Sequence, residues 1–172
     1  TLTGKGCGLS ERAPMCGIPY HAAETYINRL IDKGYKVAIC EQVEDPKTAK
    51  GIVKREVTRV VTPGTNLNMQ ELDEGKNNYL MAIVCVGDHF GVSTADITTG
   101  DCYVTEIDEE RKLWDEINKF LPAEIICNDA FLVSGVDVDD LRNRLHISVF
   151  ALESWYFGDD LCKQTLLDHF KI

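Results

Sequence analysis

From residue 79 onward, short apolar runs and tight-turn residues alternate in an order that few folds accommodate. Residues 79–86 (YLMAIVCV) and 90–98 read as two strands joined across Gly87-Asp88-His89, a hairpin signal. Residues 101–107 make a third strand after the turn Thr99-Gly100. The period then changes. With Asp108 as its cap, a helix is predicted to residue 121, with Leu113, Trp114, Ile117, Phe120 and Leu121 on one face. A buried strand at 124–127, a short acidic helix at 137–145, a strand at 147–152 and a last helix at 159–170 complete the pattern. Three antiparallel strands followed by alternating helix and strand specify an α/β layer structure.

The first part of the chain has a looser rhythm. Residues 1–17 are rich in glycine and read as a strand end followed by a loop. A helix is predicted over 21–33, with Ala22, Tyr26, Ile27, Leu30 and Ile31 as its buried stripe and Gly34 as its stop. A strand at 35–43 follows. Asp45-Pro46 then supplies an N-cap with proline at the first helical position, opening a short turn through Lys50. A strand at 54–61 ends at Thr62-Pro63-Gly64-Thr65, and the polar residues 66–77 read as a linker. The expected organisation is a first unit at 1–65, a linker at 66–77 and a second unit at 78–172.

Charge supports two units with different partners. Residues 1–65 hold ten Lys/Arg against seven Asp/Glu, while residues 66–172 hold eight against twenty-one; +3 and −13 sum to the net −10 of the chain. The first half tolerates a phosphate backbone and the second repels one. With 44% apolar and 27% charged residues, the composition is that of a globular protein rather than a disordered one. No apolar run is long enough to span a bilayer and no secretory leader is visible, so a cytoplasmic protein without membrane partners is expected. The start at Thr1 suits a piece of a longer chain. The seven cysteines are never closer than nine positions apart, which fits no zinc or redox motif; all are read as structural, with Cys40, Cys85, Cys102 and Cys127 in apolar strands.

Three punctuated blocks carry a resemblance: Pro14-Met15-Cys16-Gly17-Ile18-Pro19-Tyr20-His21, then Cys40-Glu41-Gln42-Val43-Glu44-Asp45-Pro46, then residues 54–65 (KREVTRVVTPGT). In this fixed order they resemble the bacterial MutS family of DNA mismatch-recognition proteins. The resemblance implies the C-terminal part of a mixed α/β mismatch-recognition domain, then a ribonuclease H-like connector domain with a central sheet flanked by helices, incomplete at its C-terminus. It implies mismatched double-stranded DNA and the downstream factor MutL as partners of a full-length homodimer. ATP and magnesium would serve that full-length protein, with no cofactor in this piece.

The resemblance also suggests sites. Lys5 and the loop at Pro14 and Met15, with His21 beside them, would lie near DNA. A lysine pairs with phosphate, and methionine offers a deformable apolar contact. The alternatives are a solvated lysine, a methionine packed under the helix and a histidine bonded to local backbone. Lys54, Arg55 and Arg59 read as the solvent face of a strand. The Phe-x-Glu motif that reads the mismatch in the family does not occur here before residue 65, and the first phenylalanine is Phe90; the motif is expected upstream. Gln164 and Thr165 on the last helix would face MutL, unless Leu161, Thr165 and Leu166 form its buried stripe. Trp155 and Tyr156 read as core or anchor, with core favoured.

Other chemistries fit the residues less well. A ribonuclease H-like metal-dependent nuclease or phosphotransferase is the alternative the fold invites. It needs a carboxylate on its first strand, where residues 79–86 have none, and Asp96 on the second strand is isolated and read as a turn-bonding residue. No sequence fits the phosphate-binding loop G-x-x-x-x-G-K-[ST], and His21, His89, His146 and His169 are scattered. No catalytic and no metal-binding residue is assigned.

Overall fold

The computed structural model describes residues 2–6, 11–49, 51–66 and 77–171. Most of the expected linker, and Cys7, lie outside the described residues. Contacts divide the chain into two compact units, Thr1–Val61 and Thr62–Ile172.

Among the described residues the first unit has two ribbons and one helix. Strands β1 (Leu2–Lys5) and β2 (Ala13–Cys16) pair antiparallel, so the expected loop at Pro14 to Cys16 is a strand. Proline is tolerated there because each strand of this ribbon pairs on one side only among the described residues. Helix α1 (Ala23–Ile31) is shorter than predicted, because residues Tyr20–Ala22 form a separate 3-10 turn. It closes as expected: Gly34 sits at φ +78°, and the Tyr35 amide donates back to the Leu30 carbonyl at 3.1 Å. Its stripe is not the predicted one. Ile31 is buried beside Asn28, whereas Tyr26 and Leu30 are exposed.

Strands β3 (Val37–Gln42) and β4 (Arg55–Val61) form the second ribbon. The register slips between Ile39 and Cys40, leaving Thr58 as the extra residue, whose hydroxyl donates to the Ile39 carbonyl at 3.3 Å. Asp45 opens the expected short turn. Its carboxylate accepts from the Lys47 amide at 2.9 Å and its carbonyl from the Thr48 amide at 3.0 Å.

The second unit is built on a five-stranded mixed sheet in the order β7-β6-β5-β8-β9. β5 (Tyr79–Val86), β6 (His89–Asp96) and β7 (Cys102–Ile107) are antiparallel; β8 (Glu124–Cys127) and β9 (Ser148–Ala151) run parallel to β5. The hairpin loop has two residues, Gly87 and Asp88, with Gly87 at φ +60° in the position that favours glycine. Alternate residues Met81, Ile83 and Cys85, with Phe90, Val92, Ile107, Ile125, Cys127 and Val149, point to one face. Helix α2 (Glu110–Phe120) covers them with Leu113, Ile117 and Phe120, and Phe131 of α3 (Asp129–Leu132) and Leu141 of α4 (Val138–Asn143) extend the cover. This is a central sheet with packed helices, as the resemblance implies. Burying side chains such as Leu113 and Ile117 contributes about 1.5–3 kcal/mol each.

Asp108 does not cap α2: Glu109 holds the cap position without a side-chain bond, and Asp108 pairs with Lys112 at 3.1 Å. Leu121 leaves the helix face, because it closes α2 in the left-handed region at φ +43° and is 60% exposed. The short helix α3 and a 3-10 turn at Ser154–Phe157 lack enough periodic residues to show in sequence. Asp137 does cap α4, accepting from the Asp140 amide at 2.9 Å. Cys85 and Cys127 are buried, but Cys40 and Cys102 are exposed. Burial pushes the Cys127 thiol up to about 11, so it behaves as an inert core group.

Candidate functional site

The expected DNA-facing residues belong to the β1–β2 ribbon and the turn that follows it. Register places Gly4 opposite Pro14, Thr3 opposite Met15 and Lys5 opposite Ala13, so Lys5, Pro14 and Met15 share one small ribbon. Met15 is 43% exposed and paired as a strand residue. The side chains of Lys5 and Pro14 lie outside the described residues. His21 is exposed in the 3-10 turn at Tyr20–Ala22, and its ring makes no hydrogen bond among the described residues. Lys54, Arg55 and Arg59 are exposed, and Lys54 meets Glu56 at 2.5 Å.

The expected partner-facing residues are on helix α5 (Asp159–Phe170), which has no buried side chain. Leu161, Thr165 and Leu166 therefore do not form a buried stripe. Gln164 and Thr165 are exposed; the Gln164 amide donates to Asp168 at 2.7 Å and the Thr165 hydroxyl to the Leu161 carbonyl at 2.8 Å. Trp155 and Tyr156 are exposed as well, not core. Their rings stack at 3.7 Å between centroids, and the Trp155 indole donates to Glu153 at 2.8 Å. The unit thus presents aromatic and leucine side chains beside two polar ones.

Asp96, the isolated carboxylate of the sequence, is 1% exposed and serves the turn after β6. It accepts from the Thr98 hydroxyl at 2.6 Å, the Thr98 amide at 2.8 Å and the Asn78 amide at 3.0 Å. Burial pushes its pKa up, but the Thr98, Asn78 and Thr99 donors outweigh that, and the carboxyl lies below its ordinary range. A carboxylate so fully engaged with donors is a structural anion, and the nuclease reading finds no support in it. Among the described residues no group of three His, Cys, Asp or Glu side chains is placed to hold a metal ion.

Sequence reasoning missed the polar clasp around this aspartate. Asn78 also donates to the Pro63 carbonyl at 3.0 Å, and the buried Glu124 accepts from the Gly64 amide at 3.0 Å. The turn Pro63–Thr65 is thereby seated on the sheet, closed by a reciprocal capping box between Thr62 and Thr65. An asparagine directly before a strand and a lone glutamate opening an apolar one were the only signals.

Comparison with known proteins gives matches over nearly the whole chain. The family model for MutS domain I matches residues 1–70, and that for MutS domain II matches residues 78–172. The chain is 64% identical over 172 residues to the DNA mismatch repair protein MutS of Lachnoclostridium phytofermentans, covering 100% of this chain and 18% of that protein. It is 51% identical to the protein of the same name from Ruminiclostridium cellulolyticum, covering 99% of this chain and 20% of that one. The relative from Acetivibrio thermocellus is 49% identical, again over 99% and 20%. The chain thus spans about a fifth of the length of these curated relatives.

Proposed function

Because this chain belongs to the MutS family, we propose that it forms the frame of a mismatch-binding domain and the connector that follows it, in a protein of DNA mismatch repair. The matches to both domain models along one continuous chain carry this reading. In it the chain has no catalysis of its own, and the ATP and magnesium chemistry, the homodimer and the mismatch wedge belong to the rest of a full-length cytoplasmic protein. No helix among the described residues is long and apolar enough to cross a membrane.

The first unit meets DNA through the β1–β2 ribbon. An exposed Met15 on a glycine-flanked strand is read as a soft apolar contact to the duplex, with Lys5 and His21 as donors to phosphate and Pro14 beside Met15 in the same strand. The test is duplex binding by Lys5→Ala and Met15→Glu variants. Losing one phosphate contact lowers the salt slope by about one, and the introduced carboxylate weakens binding at every salt concentration. Unchanged affinity and slope in both variants would remove these residues from the interface.

The second unit serves protein partners. Its charge of −13 over residues 66–172 disfavours DNA, and α5 offers Gln164 and Thr165 on a helix with no buried side chain. MutL is the partner proposed for this surface. Gln164→Arg and Thr165→Arg are expected to weaken MutL binding in a surface-immobilised assay while leaving duplex binding unchanged. Wild-type MutL binding by both variants would place the interface elsewhere.

A further inference from the structure

The outer edge of β7 pairs with no strand among the described residues, and its register shows which groups it leaves open. The Asp96 amide donates to the Asp101 carbonyl at 2.9 Å, which makes that pair hydrogen-bonded. Alternation along an antiparallel ladder then turns Tyr103, Thr105 and Ile107 toward β6, and the N–H and C=O groups of Cys102, Val104 and Glu106 outward. The two-residue loop between β5 and β6 gives the same phase from the other side, since its closing pair Val86–His89 is hydrogen-bonded. Of the outward groups, only the Glu106 carbonyl has a side-chain donor among the described residues, Thr105, at 3.4 Å.

Proteins commonly protect such an edge with lysine, proline, a bulge or a short strand. This one has six residues, a regular register, no lysine and no proline, and Val104 is 78% exposed. Beside it opens a cavity of about 710 Å³, with Val84, Val86 and Gly91 on its walls and Glu106, Asp108 and His89 among its polar groups. Lys112 already pairs with Asp108 at 3.1 Å, whereas Glu106 meets no cation among the described residues.

We propose that β7 is a strand-addition site for an extended basic segment of a partner protein. The incoming strand bonds to the outward groups of Cys102, Val104 and Glu106, and it places a lysine or arginine against Glu106 at the mouth of the cavity. Adjacent strands lie about 4.8 Å apart, so a long basic side chain on the added strand spans that gap. Charge selects the partner: an unpaired carboxylate on an acidic unit accepts a basic strand and disfavours an acidic one.

The test is amide NMR of the 172-residue chain titrated with a blocked hexapeptide alternating lysine and valine, against its glutamate–valine counterpart. The lysine peptide is expected to bind saturably, with shifts and slowed exchange at Cys102, Val104 and Glu106. Val104→Pro removes one outward donor without touching the β6 ladder, and Glu106→Lys reverses the selecting charge. Each is expected to weaken binding about tenfold or more while β6–β7 protection persists. Should Val104→Pro disturb the sheet, Glu106→Lys alone decides. Equal binding of both peptides, shifts centred on α5, no saturable change up to millimolar peptide, or concentration-dependent pairing of two copies through β7 would each overturn the proposal.

Discussion

Asn128 stands where β8 ends, and its side chain continues the ladder that the backbone abandons. Its amide oxygen accepts from the Cys85 N–H at 3.0 Å and its amide nitrogen donates to the Cys85 carbonyl at 2.9 Å, as a strand residue would. Asn128→Ala leaves both backbone groups without that partner and is expected to cost about 1–3 kcal/mol, read as a lower urea midpoint with an unchanged slope. Asp96 is expected to contribute to acid stability. Its carboxyl titrates below its unfolded value of about 4, so the folded state gains stability above that value and loses it as pH falls through the lower folded-state pKa. Asp96→Asn is expected to flatten the pH dependence of the thermal midpoint below about pH 4; a wild-type slope in that variant would show that other carboxyls carry it.

Elements that rest on local pattern were legible in the sequence. β5 and β6 show period-two burial, β7 follows the tight turn that precedes it, and α5 has the predicted bounds 159–170. What covers an element was not legible. The apolar stripes of α1 and α5 look alike to those of α2 in spacing, yet Tyr26, Leu30, Leu161 and Leu166 are exposed, because periodicity names a face and not its neighbour. The parallel pairing of β8 and β9 on β5 is likewise a long-range fact. So is the seating of the Pro63–Thr65 turn. A Cβ on Gly64 would lie 3.0 Å from Leu80 Cβ and 3.1 Å from Glu124 Cβ, so Gly64→Ala forces the turn or these neighbours to shift by a few tenths of an ångström. The expected loss is about 1–3 kcal/mol, with faster amide exchange at Leu80 and Asn78; unchanged exchange there would show that the turn is not clamped. Leu113→Ala, in the core beneath the same sheet, is expected to cost about 2–5 kcal/mol in urea unfolding.

At the scale of the whole molecule, the charge split pointed to two units, the three sequence blocks carried the resemblance to the family, and the fold bears out the mixed α/β class. The finer placement of DNA-facing residues drew on a resemblance alone, because nothing in the pattern of residues 1–17 distinguished a ribbon from a loop. The central claim is that this chain frames a mismatch reader without being one. Fluorescence anisotropy with a labelled paired duplex and the same duplex carrying one mismatch measures it directly. The expected result is weak binding that falls steeply with salt and is equal for the two duplexes. Selective binding of the mismatched duplex would contradict the claim and place specificity determinants within these 172 residues.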